Sequence, residues 1–94
     1  MSARDGAAGN GALPVRVMVP DVWDEVELLL PASASLGELK RRALERTRVA
    51  RDPAEYVVKF RGAEQPDEAR TLAETGVVPN AALIVLPRRR RPVR

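Results

Sequence analysis

Ninety-four residues, 45% of them hydrophobic, with no cysteine and no histidine, describe one small domain that has to fold without a disulfide. The two absences also remove the thiolate nucleophile, the thiolate metal site, the commonest imidazole ligand and the side chain that titrates nearest neutral pH, so an enzyme is not expected. The net charge of +3 is unevenly placed: residues 88–94 hold five arginines and no acid, which makes the rest of the chain slightly acidic and the positive charge a property of the tail.

Residues 1–12, rich in Gly, Ala and Asn and without periodicity, read as a segment lacking regular structure. The domain proper is expected over residues 13–87. Val15, Val17 and Val19 alternate with Arg16 and Met18 in the period-two pattern of a half-buried strand that Pro20 and Asp21 end. Beyond a turn at Asp21–Asp24, Val26, Leu28 and Leu30 alternate with Glu25, Glu27 and Leu29 up to Pro31, so the two runs read as a hairpin.

Ser35 followed by Glu38 has capping-box spacing and starts a helix. Leu36, Leu39, Ala43 and Leu44 form its apolar stripe, with Lys40, Arg41, Arg42, Glu45 and Arg46 expected on the remaining surface. After Asp52 and Pro53, Tyr56–Arg61 reads as a third strand with Tyr56, Val58 and Phe60 inward, and Gly62 permits a tight turn. The polar stretch Ala63–Ala69 is a loop with room for one very short strand. Thr71 and Glu74 repeat the capping-box spacing, and Gly76 stops that helix after about one turn. Pro79 and Asn80 turn the chain into a last strand, Leu83–Leu86. A hairpin, a helix and further strands in this order bury one helix stripe against one face of a mixed sheet of four or five strands, an α+β β-grasp.

Over residues 13 to 88 the chain resembles ubiquitin and its relatives. The resemblance rests on Gly62 after the third strand, the run RTLAETGV from Arg70, a turn, and then ALIVLPR, together with Pro31 ahead of Ser35-Leu36-Gly37-Glu38-Leu39-Lys40. In that family conjugation needs a diglycine end, because only an unbranched terminus fits the narrow channels of activating enzymes. This sequence has no glycine after Gly76 and no internal Gly-Gly, so neither conjugation nor sulfur carriage is expected of it. Small ubiquitin-like proteins without a diglycine also occur in bacteria, some encoded with type VII secretion systems, and serve as non-conjugated accessory partners. The chain resembles them in size, strand order and end, which implies an adaptor that binds a protein.

The resemblance also implies a contact surface on the outer sheet face, at positions that correspond here to Lys59, Ile84 and Leu86. Trp23, in the first hairpin turn, either widens that surface or packs beside the hairpin. A second class of function rests on charge alone: Arg88, Arg89, Arg90, Arg91 and Arg94 suit nucleic acid, another acidic partner or an anionic membrane surface. No exposed aromatic platform accompanies them, since Tyr56 and Phe60 are assigned to the core. No phosphate loop, zinc cluster or nucleophile–base pair can be assembled, and no cofactor is implied. Asp67, Glu68 and Glu74 lack the spacing of a calcium loop. With neither a signal-peptide core nor an apolar run of roughly 18 residues, a cytoplasmic location is expected.

Overall fold

The alternating valines become the buried face of strand β1 (Ala12–Val19) in the computed structural model, which describes residues 12–88. A 3-10 turn at Pro20–Val22 and a left-handed Trp23 lead into β2 (Asp24–Pro31), paired antiparallel with β1 from Val19 opposite Asp24 to Ala12 opposite Pro31. Helix α1 (Leu36–Arg46), a second 3-10 turn (Pro53–Glu55), β3 (Tyr56–Phe60), β4 (Ala63–Glu64), the one-turn helix α2 (Leu72–Thr75) and β5 (Ala81–Pro87) follow. The five strands form one sheet in the order β2-β1-β5-β3-β4, with β5 parallel to β1 and antiparallel to β3. This is the mixed sheet with one main helix that the sequence predicts. The segment 1–12 lies outside the described residues except for Ala12, which opens β1, and the tail lies outside them beyond Arg88.

One sheet face carries Val15, Val17, Val19, Leu28, Leu30, Tyr56, Val58, Phe60, Leu83 and Val85, all buried, and α1 covers them with Leu36, Leu39, Ala43 and Leu44. Burial of this one face supplies most of the driving force for folding, since no disulfide contributes. The β3–β4 connection is a two-residue turn in which Arg61 and Gly62 both have positive φ, with Phe60 opposite Ala63. That geometry is the mirror-image turn whose twist suits a hairpin, and glycine accepts it without steric cost. The third strand therefore ends at Phe60, one residue before the expected Arg61.

Two local expectations fail at α1. Ser35 Oγ accepts from the Glu38 amide at 3.1 Å, but the Glu38 carboxylate turns to Arg42 at 3.3 Å, so only half of a capping box forms. An arginine four residues on competes for the carboxylate. Lys40, assigned above to the solvent side, is 4% exposed. Its Nζ donates to Tyr56 O at 3.0 Å and pairs with Glu68 Oε1 at 2.8 Å. The four-carbon stem adds to the apolar stripe while the ammonium ties the helix to β3 and to the loop before α2.

Helix α2 is held by the complete reciprocal cap: Glu74 N donates to Thr71 Oγ1 at 3.1 Å, and Thr71 N donates to Glu74 Oε1 at 3.0 Å. Gly76 closes it with φ of 91°, the left-handed stop read from the sequence.

Candidate functional site

The outer sheet face is built by the residues that alternate with the core. Register brings Glu25, Met18, Ile84, Lys59 and Glu64 side by side across all five strands: Met18 pairs with Glu25 and with Ile84, and Lys59 pairs with Ile84 and with Glu64. Two residues further along β5, Leu86 lies on the same face opposite Val57. Ile84, Leu86 and Lys59 are half-buried, and Met18 is 45% exposed.

Trp23 stands at the end of this face. It closes the Pro20–Val22 turn, its amide donating to Pro20 O at 3.0 Å, and takes φ of 55°, in the left-handed region. A bulky L-residue is strained there, where glycine or asparagine would sit at ease. The indole nevertheless faces water, 92% exposed. Met18, Pro20, Trp23, Asp24 and Glu25 line one shallow depression. The sequence alternatives for Trp23 thus resolve toward an exposed ring beside Met18.

Met18 is the residue that sequence reasoning passed over. Alternation placed it on the outer side of β1, but only the parallel pairing of β1 with β5 makes it the bridge between Trp23 and Ile84. Val57 is a second such residue. Although it points outward it is 6% exposed, and it shares a groove with Lys59, Glu64, Leu86, Pro87 and Arg88.

The charged residues of the face are mixed in sign, with Arg16 opposite Glu27 on one side and Glu64 beside Lys59 on the other. Asp24, Glu25 and Glu27 lie on β2, and residues 17–39 as a whole contain no lysine or arginine. Lys59 and Arg88 lie toward the other side. Arg88 is fixed where β5 leaves the sheet: its amide donates to Glu55 O at 2.6 Å and its Nε to Ala54 O at 3.3 Å. Arg89, Arg90, Arg91 and Arg94 lie outside the described residues.

At the same end of the sheet Tyr56 Oη donates to Asp21 Oδ2 at 2.7 Å, tying the hairpin turn to β3. Burial, and then the bond to Asp21, push the phenol pKa up from 10.0. The carboxylates weighed as a cation site are otherwise engaged: Glu68 holds Lys40, Glu74 caps α2, and Asp67 Oδ1 accepts from the Ala69 amide. Among the described residues no group of three or more acidic side chains is placed to hold a metal, and no helix is long and apolar enough to cross a membrane.

Solved structures share this fold closely. The chain superimposes on a ubiquitin of Caldiarchaeum subterraneum with a TM-score of 0.72 and 15% identity, covering 84% of this chain and 96% of that one. A de novo design based on ubiquitin gives a TM-score of 0.72 at 22% identity, with 83% and 90% covered. The ubiquitin-like domain of an Arabidopsis thaliana protein gives 0.69 at 16% identity, with 88% and 84% covered. At such identities the likeness is one of fold: the domain is a ubiquitin-like β-grasp. No protein-family profile and no curated protein matches the sequence.

Proposed function

We propose that this chain is a non-conjugating, non-enzymatic ubiquitin-like interaction module, an accessory or adaptor subunit that binds a protein partner through the outer sheet face. The contact residues are Trp23, Lys59, Ile84 and Leu86, with Met18 joining the first to the others. One observation carries this reading: a tryptophan is kept 92% exposed in a backbone conformation that strains it. Neither the strain nor the exposure benefits the folded domain, whereas a rigid, desolvatable indole is the kind of side chain that dominates protein contacts.

Exposed aliphatics scattered singly would mean little. Here Met18, Ile84 and Leu86 share one face through strand register, Trp23 shares a depression with Met18, and Lys59 lies beside Ile84 to orient a partner by charge. A cytoplasmic accessory role, of the kind served by bacterial secretion-associated relatives of this fold, is the setting that size and strand order suggest.

The test is affinity capture with the full chain and with Trp23→Ser combined with Met18→Lys. Both residues are exposed, so circular dichroism and the unfolding midpoint should stay as in the parent. Loss of the proteins captured by the parent chain is the expected result. Undiminished capture by a folded double variant would remove this face from consideration.

A further inference from the structure

We infer that the free edge of β2 is a second docking site, which takes an extended segment of another protein as an added strand, with a basic side chain beside Glu25 and an apolar one beside Leu29. The sheet has two edges, formed by β2 and by β3 with β4. The second is largely closed: the Tyr56 amide donates to Pro53 O, Tyr56 O accepts from Lys40 Nζ, Val58 O accepts from the Gln65 amide, and β4 pairs with Lys59 and Phe60. The eight residues of β2 have no strand beyond them among the described residues. Such an edge is a template for another strand.

Two hydrogen bonds fix which backbone groups of β2 look outward. The Asn80 amide donates to Pro14 O, so Pro14 turns its carbonyl toward β5, and Leu29, opposite Pro14, turns its polar groups away from β1. Arg46 Nη1 donates to Glu27 O at 3.4 Å, which places Glu27 in the same phase. Glu25, Glu27, Leu29 and Pro31 therefore face the edge. Both ends of this row are already spent: the Glu25 amide donates to Asp24 Oδ1 at 2.9 Å, Pro31 has no N–H, and Pro31 O accepts from the Ala34 amide at 2.9 Å. With Glu27 O met by Arg46, a contiguous set remains without a partner among the described residues: Glu25 O, Glu27 N–H and both polar groups of Leu29.

An antiparallel strand satisfies this set. Its residue opposite Leu29 exchanges both bonds, its residue opposite Glu27 has only to accept, and its residue opposite Glu25 has only to donate. The side chains along the row select its chemistry. Leu29 is 58% exposed, and an apolar or β-branched cross-strand neighbour covers it. Glu27 already has Arg16 opposite it on β1, whereas Glu25 has Met18 opposite it and forms no ion pair with a described basic side chain. The basic residue of the added strand therefore belongs beside Glu25. A second copy of this chain fits less well: antiparallel pairing of two β2 edges with Glu25 opposite Leu29 sets Glu27 against Glu27, and like charges directly opposite destabilise a pair. The row lies in the plane of the sheet, so its occupancy does not require the contact surface around Trp23 and Ile84.

The test is amide hydrogen exchange of the full chain by NMR, with the acetylated and amidated peptide Thr-Val-Thr-Thr-Val-Lys-Thr as probe. Antiparallel to β2, this peptide sets its first valine opposite Leu29, its central threonine opposite Glu27 and its lysine opposite Glu25. At saturating peptide the Glu27 and Leu29 amides should exchange about ten-fold more slowly, and the Glu25 amide, already bonded, should not change. N-methylation of the first valine should abolish the effect, because it removes the donor to Leu29 O. N-methylation of the central threonine should leave it, because Glu27 O is met by Arg46. Leu29→Pro spares the bonds to β1 and should lose the peptide's protection of Glu27 at an unchanged melting temperature. Trp23→Ser/Met18→Lys should take the peptide like the parent. Absence of protection at Glu27 and Leu29, or equal sensitivity to the two N-methyl groups, would overturn the inference. So would protection of both amides in the chain alone, which assigns the edge to the chain's own ends if it is independent of concentration and to a second copy if it grows with concentration.

Discussion

At the scale of single residues, Trp23 and Tyr56 show how the two sides of one hairpin turn are used differently. Trp23 occupies a left-handed position that costs a bulky L-residue roughly 1–2 kcal/mol, and it receives little packing in return at 92% exposure. Glycine would relieve that strain but lose about 0.5–1 kcal/mol to its greater unfolded freedom. Trp23→Gly should therefore leave stability unchanged or raise it by up to about 1 kcal/mol in urea unfolding, while it removes partner capture. A clear loss of stability would make the indole a packing element. Tyr56 is instead buried, with its hydroxyl spent on Asp21. Its folded pKa is raised, first by burial, so the folded state holds the phenol proton more tightly than the unfolded chain does. That contribution to stability is fully present below pH 10.0 and is lost as pH rises through the raised folded value. The alkaline fall in melting temperature should be smaller in Tyr56→Phe, and absorbance titration of the only tyrosine should show ionisation displaced to higher pH than in the unfolded chain.

Among the elements, α2 illustrates how a four-residue helix survives in a small domain. It is far too short to be stable alone. Its reciprocal cap, the left-handed Gly76 and the wholly buried Leu72 hold it, and backbone bonds from Leu72 and Ala73 to Ala34 and Ala32 dock it on the segment before α1. Thr71→Ala removes one half of the cap and should cost about 1 kcal/mol, measured as a shift in the unfolding midpoint. Both capping positions, the stop at Gly76 and the strand alternation were legible in the sequence because each depends on residues within four positions of one another. Lys40 was not. Periodicity put it at the border of the α1 stripe, and a charge at a border reads as solvated; its acceptors, Tyr56 O and Glu68, come from segments 16 and 28 residues away. Glu38 misled for a similar reason, since two short-range partners competed for one carboxylate and the sequence does not rank them.

For the molecule as a whole, β5 is the element on which the sheet depends. It is the middle strand, pairing Val15 of β1 with Ala81 and Phe60 of β3 with Leu83, so the two halves of the sheet meet only through residues near the end of the sequence. Removing residues 81–94 should leave the chain unfolded, with loss of the cooperative transition in circular dichroism, because β1 and β3 would each present an unpaired edge and Leu83 and Val85 would leave the core. Folding should likewise wait for this pairing, whose contacts span most of the chain length. By itself the sequence determined the elements, their order, the buried side of each strand, the absence of catalytic histidine or cysteine and the concentration of positive charge in the tail, because these are properties of composition and of short-range period. Only the tertiary structure decided that Met18 joins Trp23 to Ile84, that Lys40 is an internal tie, and that the acidic hairpin and the root of the arginine tail share one end of the sheet. Those facts follow from which strands pair and in which direction, and parallel pairing of β1 with β5 links residues more than sixty positions apart, a relation that local pattern does not carry.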